Sequence, residues 1–226
     1  MRKRVETLLF QIEEAKKKAH RTDTVQLMAV SKTQSQAAII EMIDCGVHLL
    51  GENRVQEIEQ KFPLAQRRYD LHLIGHLQSN KVKKAVSLVD AIDSVDSLKL
   101  LRLINKVALS QGKVMPILFE INTSGEASKI GFTDEKAYFS AVEAAADMPG
   151  VRVEGLMTVG PLGSDEKKIR KAFSSLKELQ QKSSSYFDPL TFKTLSMGMS
   201  DDYLWAIMEG ATIVRIGTAL FGQRQV

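Results

Sequence analysis

A lysine and an arginine stand at two apolar runs of the sequence, where charged side chains are uncommon. Lys32 follows the apolar run 25–30 by two positions. An amine at the end of a strand and shielded from water is a nucleophile that condenses with aldehydes to a Schiff base. A lysine in such a position can also extend into solvent without any chemical role. Lys32 is therefore a candidate nucleophile whose assignment depends on the residues around it.

Arg215 lies within the last apolar run, 213–216, so its side chain is expected to point into the protein. A buried guanidinium is costly unless it meets an acceptor. The ring nitrogen of an aromatic cofactor is one such acceptor. An arginine there keeps that nitrogen unprotonated, which weakens the ring as an electron sink. An ion pair with an inward acid, Glu154 or Glu120, is the alternative.

Two glycine-containing loops near the C-terminus have the composition of a phosphate site. Gly198 precedes Ser200, which we place at the N-cap of a predicted helix over residues 201–208. Gly217 and Thr218 precede a short turn at 219–222 whose first backbone N–H groups are unpaired by the turn itself. Helix N-termini of this kind bind phosphate. Ser200 alone also fits an ordinary N-cap, but the two loops together favour a phosphorylated ligand.

The remaining polar candidates are weaker. His76 and Asn80 are placed to hydrogen-bond around the same site, and no second histidine or carboxylate recurs at the spacing of metal ligands. We therefore expect no metal site. Cys45 is the only cysteine, so it forms no disulfide within the chain.

The elements that must position these residues alternate between short apolar runs and segments of helical period. Such alternation is typical of βα units and a parallel sheet. Eight runs are the number that closes a barrel, and active sites of such barrels lie at the C-terminal ends of the strands. The predicted strands are 25–30, 47–50, 71–74, 88–92, 115–121, 152–157, 192–195 and 213–216.

We accordingly predict a single (β/α)8 TIM-type barrel with an extra N-terminal helix over residues 3–20. A doubly wound open sheet is the alternative, but candidate residues that follow many different strands suit a ring of strand ends better. A polar stretch, 182–189, is predicted as an exposed loop. The other predicted helices are 36–44, 95–110, 135–146, 166–181 and 201–208.

Composition places the chain among single-domain globular proteins. The 226 residues are 44% apolar, enough for one sizeable core, so we treat residues 1–226 as one domain. No run is long enough to span a membrane and the first residues are charged, which indicates a soluble cytoplasmic protein. The net charge of +4 suits an anionic ligand. The basic runs 16–18 and 81–84 lie on predicted amphipathic helices, so we expect no binding to nucleic acid.

Seven stretches spread from the first predicted strand to the last contain the candidate residues. They are 29–33, 51–57, 72–81, 125–132, 155–158, 195–202 and 215–222. Together these stretches closely resemble the pyridoxal phosphate homeostasis protein family, also called YggS or PROSC. The sequence differs from the usual family pattern after Lys32, where 34–36 lacks a proline, and at Leu71, where an aromatic residue is common.

The resemblance implies a barrel related to the N-terminal domain of alanine racemase, with pyridoxal 5′-phosphate bound to Lys32 as a Schiff base. It implies that Arg215 faces the pyridine nitrogen and that Asn53 lies beside the ring. It also implies that Ser200, Gly217 and Thr218 hold the phosphate. Family members bind the cofactor and affect its supply, without an established catalytic reaction.

Three functions remain open at this point. The first is a carrier that limits free pyridoxal phosphate and passes it to cofactor-dependent apo-enzymes. The second is an amino-acid racemase or related enzyme that uses the same Lys32. Related racemases supply a second acid/base group from another domain, and this chain ends soon after the barrel, so we expect no racemisation. The third is a Schiff-base aldolase acting on a phosphorylated sugar, for which Asn53 and His76 are a thin set of polar groups.

Overall fold

Eight parallel strands close into a barrel in the order in which they occur along the chain. The computed structural model describes residues 1–62, 68–126, 129–161, 163, 165–186 and 192–222. Strand β8 pairs with β1 in parallel, with Ala29 opposite Ile216, and this pairing closes the ring. The barrel prediction is therefore confirmed, and the alternative of an open doubly wound sheet is wrong.

The strands agree with the predicted bounds to within one residue, except the second, the fourth and the seventh, which begins at Thr194 and not at 192. The second strand begins and ends two residues later than predicted. It includes Glu52, whose carboxylate is buried inside the protein. The fourth begins at Ala91, since Leu88 ends a helix, and includes the buried Asp93. The strands are β1 Gln26–Val30, β2 Leu49–Glu52, β3 Asp70–Leu73, β4 Ala91–Val95, β5 Met115–Glu120, β6 Val151–Met157, β7 Thr194–Ser196 and β8 Ile213–Ile216.

The helices alternate with the strands, and an additional helix precedes β1 as predicted. Helix α5 begins at Leu98 because the Ser97 hydroxyl accepts from the N–H of Leu100. Helix α7 continues to Tyr186, so the loop predicted from residue 182 was wrong up to that point, and 187–189 lie outside the described residues. The helices are α1 Arg2–Lys18, α2 Gln36–Asp44, α3 Val55–Lys61, α4 Val82–Leu88, α5 Leu98–Ser110, α6 Glu135–Ala146, α7 Glu166–Tyr186, α8 Tyr203–Met208 and α9 Thr218–Phe221.

The barrel has two apolar regions of very different size. The large one joins outward-facing strand residues such as Leu50 to buried helix residues such as Ile58 and Leu101. The small one consists of Met28, Leu49 and Ile213 with Ile74 beside them. Burial of the larger region supplies most of the hydrophobic stabilisation, because that stabilisation scales with the apolar area removed from water.

Helix α1 connects the start of the chain to its last elements. Arg4 Nη1 donates to the carbonyl oxygen of Leu220 at 3.3 Å. The Tyr203 hydroxyl donates to Gln11 Oε1 at 2.7 Å, and Arg21 Nη1 donates to the carbonyl of Ile207 at 2.7 Å. The additional N-terminal helix therefore packs against α8 and α9, next to the point where β8 closes the ring on β1.

Two further properties concern only the described residues. None of their helices combines the length and apolar character needed to cross a bilayer. Among the same residues, no three His, Cys, Asp or Glu side chains come together in a way that could hold a metal ion.

Candidate functional site

The predicted site residues come from four consecutive strands of the ring, β7, β8, β1 and β2. Lys32 and Asn53 follow β1 and β2, and Ser200 follows β7. Arg215 lies on β8, directly before Gly217 and Thr218. The barrel therefore brings residues from both ends of the sequence to one arc of its C-terminal rim, as the sequence analysis predicted.

Lys32 is half-buried at the end of β1, and the backbone beside it is strained. Among the described residues its Nζ makes no hydrogen bond or ion pair. The next residue, Thr33, has a φ of +63°, a conformation that β-branched side chains rarely adopt. Strain of this kind collects at binding and catalytic sites, where the surrounding structure holds the unfavourable conformation in place.

Arg215 is buried, and its recorded partners are all uncharged. Its Nη1 donates to the carbonyl oxygen and the hydroxyl of Ser196, at 2.6 and 2.9 Å, and its Nη2 donates to the carbonyl of Thr158 at 2.7 Å. A guanidinium has five N–H donors, so two remain for a ligand. Within the described part of the chain Arg215 forms no ion pair within 4 Å, so the alternative of a pair with Glu154 or Glu120 was wrong.

The loop after β7 differs from the prediction. Helix α8 begins at Tyr203, so Ser200 lies in the turn before the helix and is not its N-cap. The N–H of Met199 donates to Asp202 Oδ1 at 2.5 Å, so this amide is already paired within the loop. Gly198 has a φ of +93°, and a Cβ there would lie 2.6 Å from the Cβ of Ala206. The glycine is therefore needed by the loop and helix α8. The Ser200 hydroxyl forms no hydrogen bond with the described residues and is available to a phosphate.

The loop after β8 agrees with the prediction. Gly217 precedes the first turn of α9, which begins at Thr218. Its φ is −110°, which any residue can adopt, and an added Cβ would meet nothing closer than the Val30 carbonyl at 3.6 Å. Neither backbone conformation nor packing within the described chain requires glycine here. A glycine that the fold itself does not require fits a position where a group such as a phosphate approaches the backbone closely.

Asn53 lies at the end of β2 with a buried polar atom that lacks a partner. Its Oδ1 has no hydrogen bond among the described residues. A Cβ on Gly75 would lie 2.3 Å from the Asn53 carbonyl oxygen, so the chain after β3 packs tightly against Asn53 and fixes its backbone. Orphaned buried acceptors are rare in folded proteins. The Asn53 side chain therefore fits a position beside a bound ligand.

An open cleft of about 640 Å³ lies beside Asn53, between α3 and the chain that follows β3. His76 lines this cleft, and its Nδ1 lies 3.1 Å from Asp96 Oδ2. Asn80 is exposed in a short 3₁₀ turn, Ser79–Lys81. Both residues lie near the rim as expected, on the side of α3 and α4.

Glu120, at the end of β5, is a buried acid that sequence reasoning treated only as a partner of Arg215. Burial raises its pKa to about 7, although the charge of Arg215 acts in the opposite direction. Asp202 is also buried, and burial raises its pKa as well. Burial lowers the pKa of Arg215, and the negative charges of Asp93, Glu120 and Asp202 act in the opposite direction.

Comparison with known proteins decides the family. Residues 5–225 match the family model described as the alanine racemase N-terminal domain. A pyridoxal phosphate homeostasis protein of Aquifex aeolicus is 39% identical over 98% of this chain and 97% of its own length. The chain belongs to the pyridoxal phosphate homeostasis protein family. A relative of the same name from Vibrio alginolyticus is 36% identical over 97% of this chain and 96% of its own length.

Solved structures of this family have the same fold. The structure of PipY from Synechococcus elongatus with pyridoxal phosphate bound has a TM-score of 0.83 and 31% identity, over 98% of this chain and 99% of PipY. An alanine racemase of Clostridium difficile has a TM-score of 0.70 at 16% identity, over 96% of this chain and 56% of the racemase. The second likeness concerns the fold alone, and it confirms the predicted relation to the racemase barrel.

Sequence reasoning missed a group of charged residues below Lys32. Glu52 is fully buried at the end of β2, and Glu57 and Lys61 lie one turn apart on α3. The signal was present, because a Glu four residues before a Lys is a favourable pair on a helix. Helix α3 was not predicted, so this spacing was not used.

Proposed function

We propose that residues 1–226 act as one binding domain that holds pyridoxal 5′-phosphate as a Schiff base on Lys32 and takes part in its intracellular homeostasis. The observation that carries the proposal is the arrangement of the rim. Lys32 is half-buried, has no partner among the described residues, and directly follows the end of β1. The neighbouring strand β8 contains Arg215, which has donors left over, and Gly217 after β8 lies against Val30 of β1.

Each part of the cofactor has a matching group in this arc. The Arg215 guanidinium supplies donors for the pyridine nitrogen, and Asn53 supplies an unpaired amide oxygen beside the ring. Ser200, Gly217 and Thr218 supply a hydroxyl and helix N-terminal amides for the phosphate. When bound, the cofactor supplies an aldehyde with which a lysine amine condenses, releasing water.

The family supports the same assignment. Relatives that cover nearly the whole chain are named for pyridoxal phosphate homeostasis, and PipY has been solved with the cofactor bound. We propose that this chain likewise carries the cofactor, delivers it to apo-enzymes, and does not turn over a substrate. An arginine at the ring nitrogen agrees with this role, because it limits the ring as an electron sink.

The decisive experiment is the visible absorption spectrum of the purified protein with added pyridoxal phosphate, followed by borohydride reduction and peptide mapping. We expect a band that borohydride removes, with the reduced adduct on Lys32. Lys32→Ala should show neither, whereas Lys136→Ala, which removes an exposed lysine on α6, should behave as the wild type. A wild type without the band, or with the adduct on another lysine, would contradict the proposal and favour the aldolase.

The absence of turnover needs a separate measurement. The cofactor-loaded protein is incubated with L-alanine and other amino acids, and the D-enantiomers are quantified by chiral chromatography. We expect no conversion above the rate of free pyridoxal phosphate with the same amino acid. Conversion that depends on Lys32 would instead establish the racemase alternative.

A further inference from the structure

Lys61 lies beneath the rim and contacts three groups around the end of β1. Its Nζ donates to the carbonyl oxygen of Ser31 at 3.1 Å and to Glu52 Oε1 at 3.2 Å. It also donates to Glu57 Oε2, four residues earlier on α3. The Ser31 hydroxyl in turn donates to Glu52 Oε1 at 2.8 Å. One ammonium group therefore joins helix α3 to the ends of β1 and β2.

Glu57 extends this network to the other side of Lys32. The N–H of Thr33 donates to Glu57 Oε2 at 2.9 Å. The Ser31 carbonyl belongs to the peptide unit before Lys32, and the Thr33 N–H belongs to the unit after it. The network therefore holds both peptide units that flank Lys32, while the Lys32 side chain itself is left without a partner among the described residues.

The network holds Thr33 in an unfavourable backbone conformation with a positive φ. A left-handed φ costs a β-branched residue more than most, and glycine almost nothing. The charge-assisted bond from the Thr33 N–H to Glu57 is of the stronger class of hydrogen bond. The Lys61 and Thr33 hydrogen bonds and the Lys61 charge outweigh burial and lower the pKa of Glu57, which keeps it ionised as an acceptor.

We propose that Lys61, Glu52 and Glu57 form a clamp that positions Lys32 for covalent capture of the aldehyde ligand. The proposal rests on the proposed function and deepens it. The three residues are positioning residues, since they act through the backbone of Ser31 and Thr33. Because both flanking peptide units are anchored, the Lys32 backbone stays fixed at the end of β1. Its amine therefore stays at the position where the aldehyde carbon binds.

The variant that tests the clamp is Glu57→Ala. Lys61→Met is the more direct change, but it leaves the fully buried Glu52 without its cation and endangers folding. Glu57 is only partly buried, and its loss frees the Thr33 N–H while Lys61 still pairs with Glu52. The matched control is Glu59→Ala, two residues along α3, which removes an exposed carboxylate that pairs with Lys84.

Two measurements distinguish a loss of Lys32 positioning from a general loss of structure. The first is the rate at which pyridoxal phosphate forms the borohydride-reducible adduct on Lys32. The second is the affinity for pyridoxamine phosphate, which has the ring and phosphate but no aldehyde. For Glu57→Ala we expect the rate to fall on the order of tenfold and the affinity for the amine analogue to stay unchanged. Glu59→Ala should match the wild type in both.

Repeating the Glu57→Ala substitution in a Thr33→Gly variant tests whether the strained backbone matters. Glycine at position 33 adopts a positive φ without strain, so in Thr33→Gly the loss of Glu57 should slow the adduct far less than it does with Thr33 present. An equal loss in both backgrounds, or an unchanged rate in Glu57→Ala, would overturn the clamp while leaving Lys32 as the site. If the wild type forms no adduct on Lys32, both the clamp and the proposed function fail.

Discussion

The two cations of the candidate site are held in opposite ways. Arg215 is fixed by its side chain, which donates to the buried oxygens of Ser196 and Thr158. Lys32 is fixed by its backbone, through Ser31 and Thr33, and its side chain has no partner among the described residues. The Arg215 side chain is therefore part of the barrel interior, whereas only the backbone of Lys32 is fixed.

This difference separates stability from reactivity. Removing the Arg215 side chain leaves buried acceptors unpaired, so we expect it to weaken the fold as well as ligand binding. Removing the Lys32 side chain breaks no hydrogen bond or ion pair with the described residues, so we expect it to abolish covalent capture and leave the fold intact. Measurements of stability on variants of the two residues therefore test this difference.

Arg215→Met should give the largest loss. The change leaves the Ser196 hydroxyl and the Thr158 carbonyl oxygen without their donor, whereas the Ser196 carbonyl still accepts from the Thr158 N–H. It also removes the positive charge near Asp93, Glu120 and Asp202. We expect the free energy of unfolding to fall by about 3–5 kcal/mol, since each buried acceptor left unpaired costs about 1–3 kcal/mol. The measurement is urea unfolding without cofactor.

Lys32→Met is the control for that measurement, with an expected change within about 0.5 kcal/mol. Equal losses in the two variants would show that the Lys32 side chain contributes as much to the fold as the Arg215 guanidinium, which would contradict the difference between them.

The second prediction concerns the pH dependence of stability. Glu120 has a pKa of about 7 in the folded protein, against 4.5 for an ordinary glutamate. Between these values the folded state holds the proton and the unfolded state does not, so stability falls as pH rises from 4.5 through 7. The decline amounts to about 3 kcal/mol for this group.

His72 acts in the same direction. Burial lowers its pKa, but the charge of Asp93 and the hydrogen bond to it together outweigh burial and raise it. His72 contributes to stability below its ordinary pKa of about 6.5. This contribution is lost as the pH rises through the pKa that His72 has in the folded protein. Asp202 and Glu52, whose pKa values burial also raises, act in the same direction, so Glu120→Gln should remove only part of the decline in the free energy of unfolding measured in urea from pH 5 to 8. Parallel curves for wild type and variant would show that Glu120 is already ionised at pH 5.

The third prediction compares two serines near helix starts. The Ser35 hydroxyl accepts from the N–H of Ala38 and caps α2, so Ser35→Ala should cost about 1 kcal/mol of stability. Ser200 caps no helix, so Ser200→Ala should change stability by less than about 0.5 kcal/mol and should weaken the binding of pyridoxal phosphate. A thermal shift without cofactor and a titration with cofactor check the two effects, and a stability loss at Ser200 as large as that at Ser35 would contradict the structure.

The sequence predicts the outer layer of the barrel better than its interior. Apolar periodicity located strands such as β8 and helices such as α2 and α6 to the residue, because their buried faces are apolar. The predicted strands 47–50 and 88–92 end before Glu52 and Asp93, although both residues lie buried within strands. Hydropathy cannot mark a charged residue as buried when its partners come from distant parts of the chain.

The same reason explains what was missed at the site. Lys32, Arg215 and Gly217 could be proposed because each lies within or just after an apolar run, whereas the place of Asn53 was implied by the resemblance to the family. The clamp could not, since it depends on how α3 packs against β1 and β2 and on the φ of a single threonine. The role given to Ser200 as an N-cap failed because a helix start is uncertain by one or two residues, and here it lies two residues later.

The pairing of β8 with β1 has a consequence for how the protein is made. Lys32 and Asn53 emerge early during synthesis, whereas Ser200, Arg215 and Gly217 emerge much later. Until β8 arrives, β1 has an unpaired edge, and contacts of such long sequence separation form slowly. A nascent chain therefore exposes Lys32 before the residues proposed to hold a phosphate exist, and the proposed site is complete only when the barrel closes.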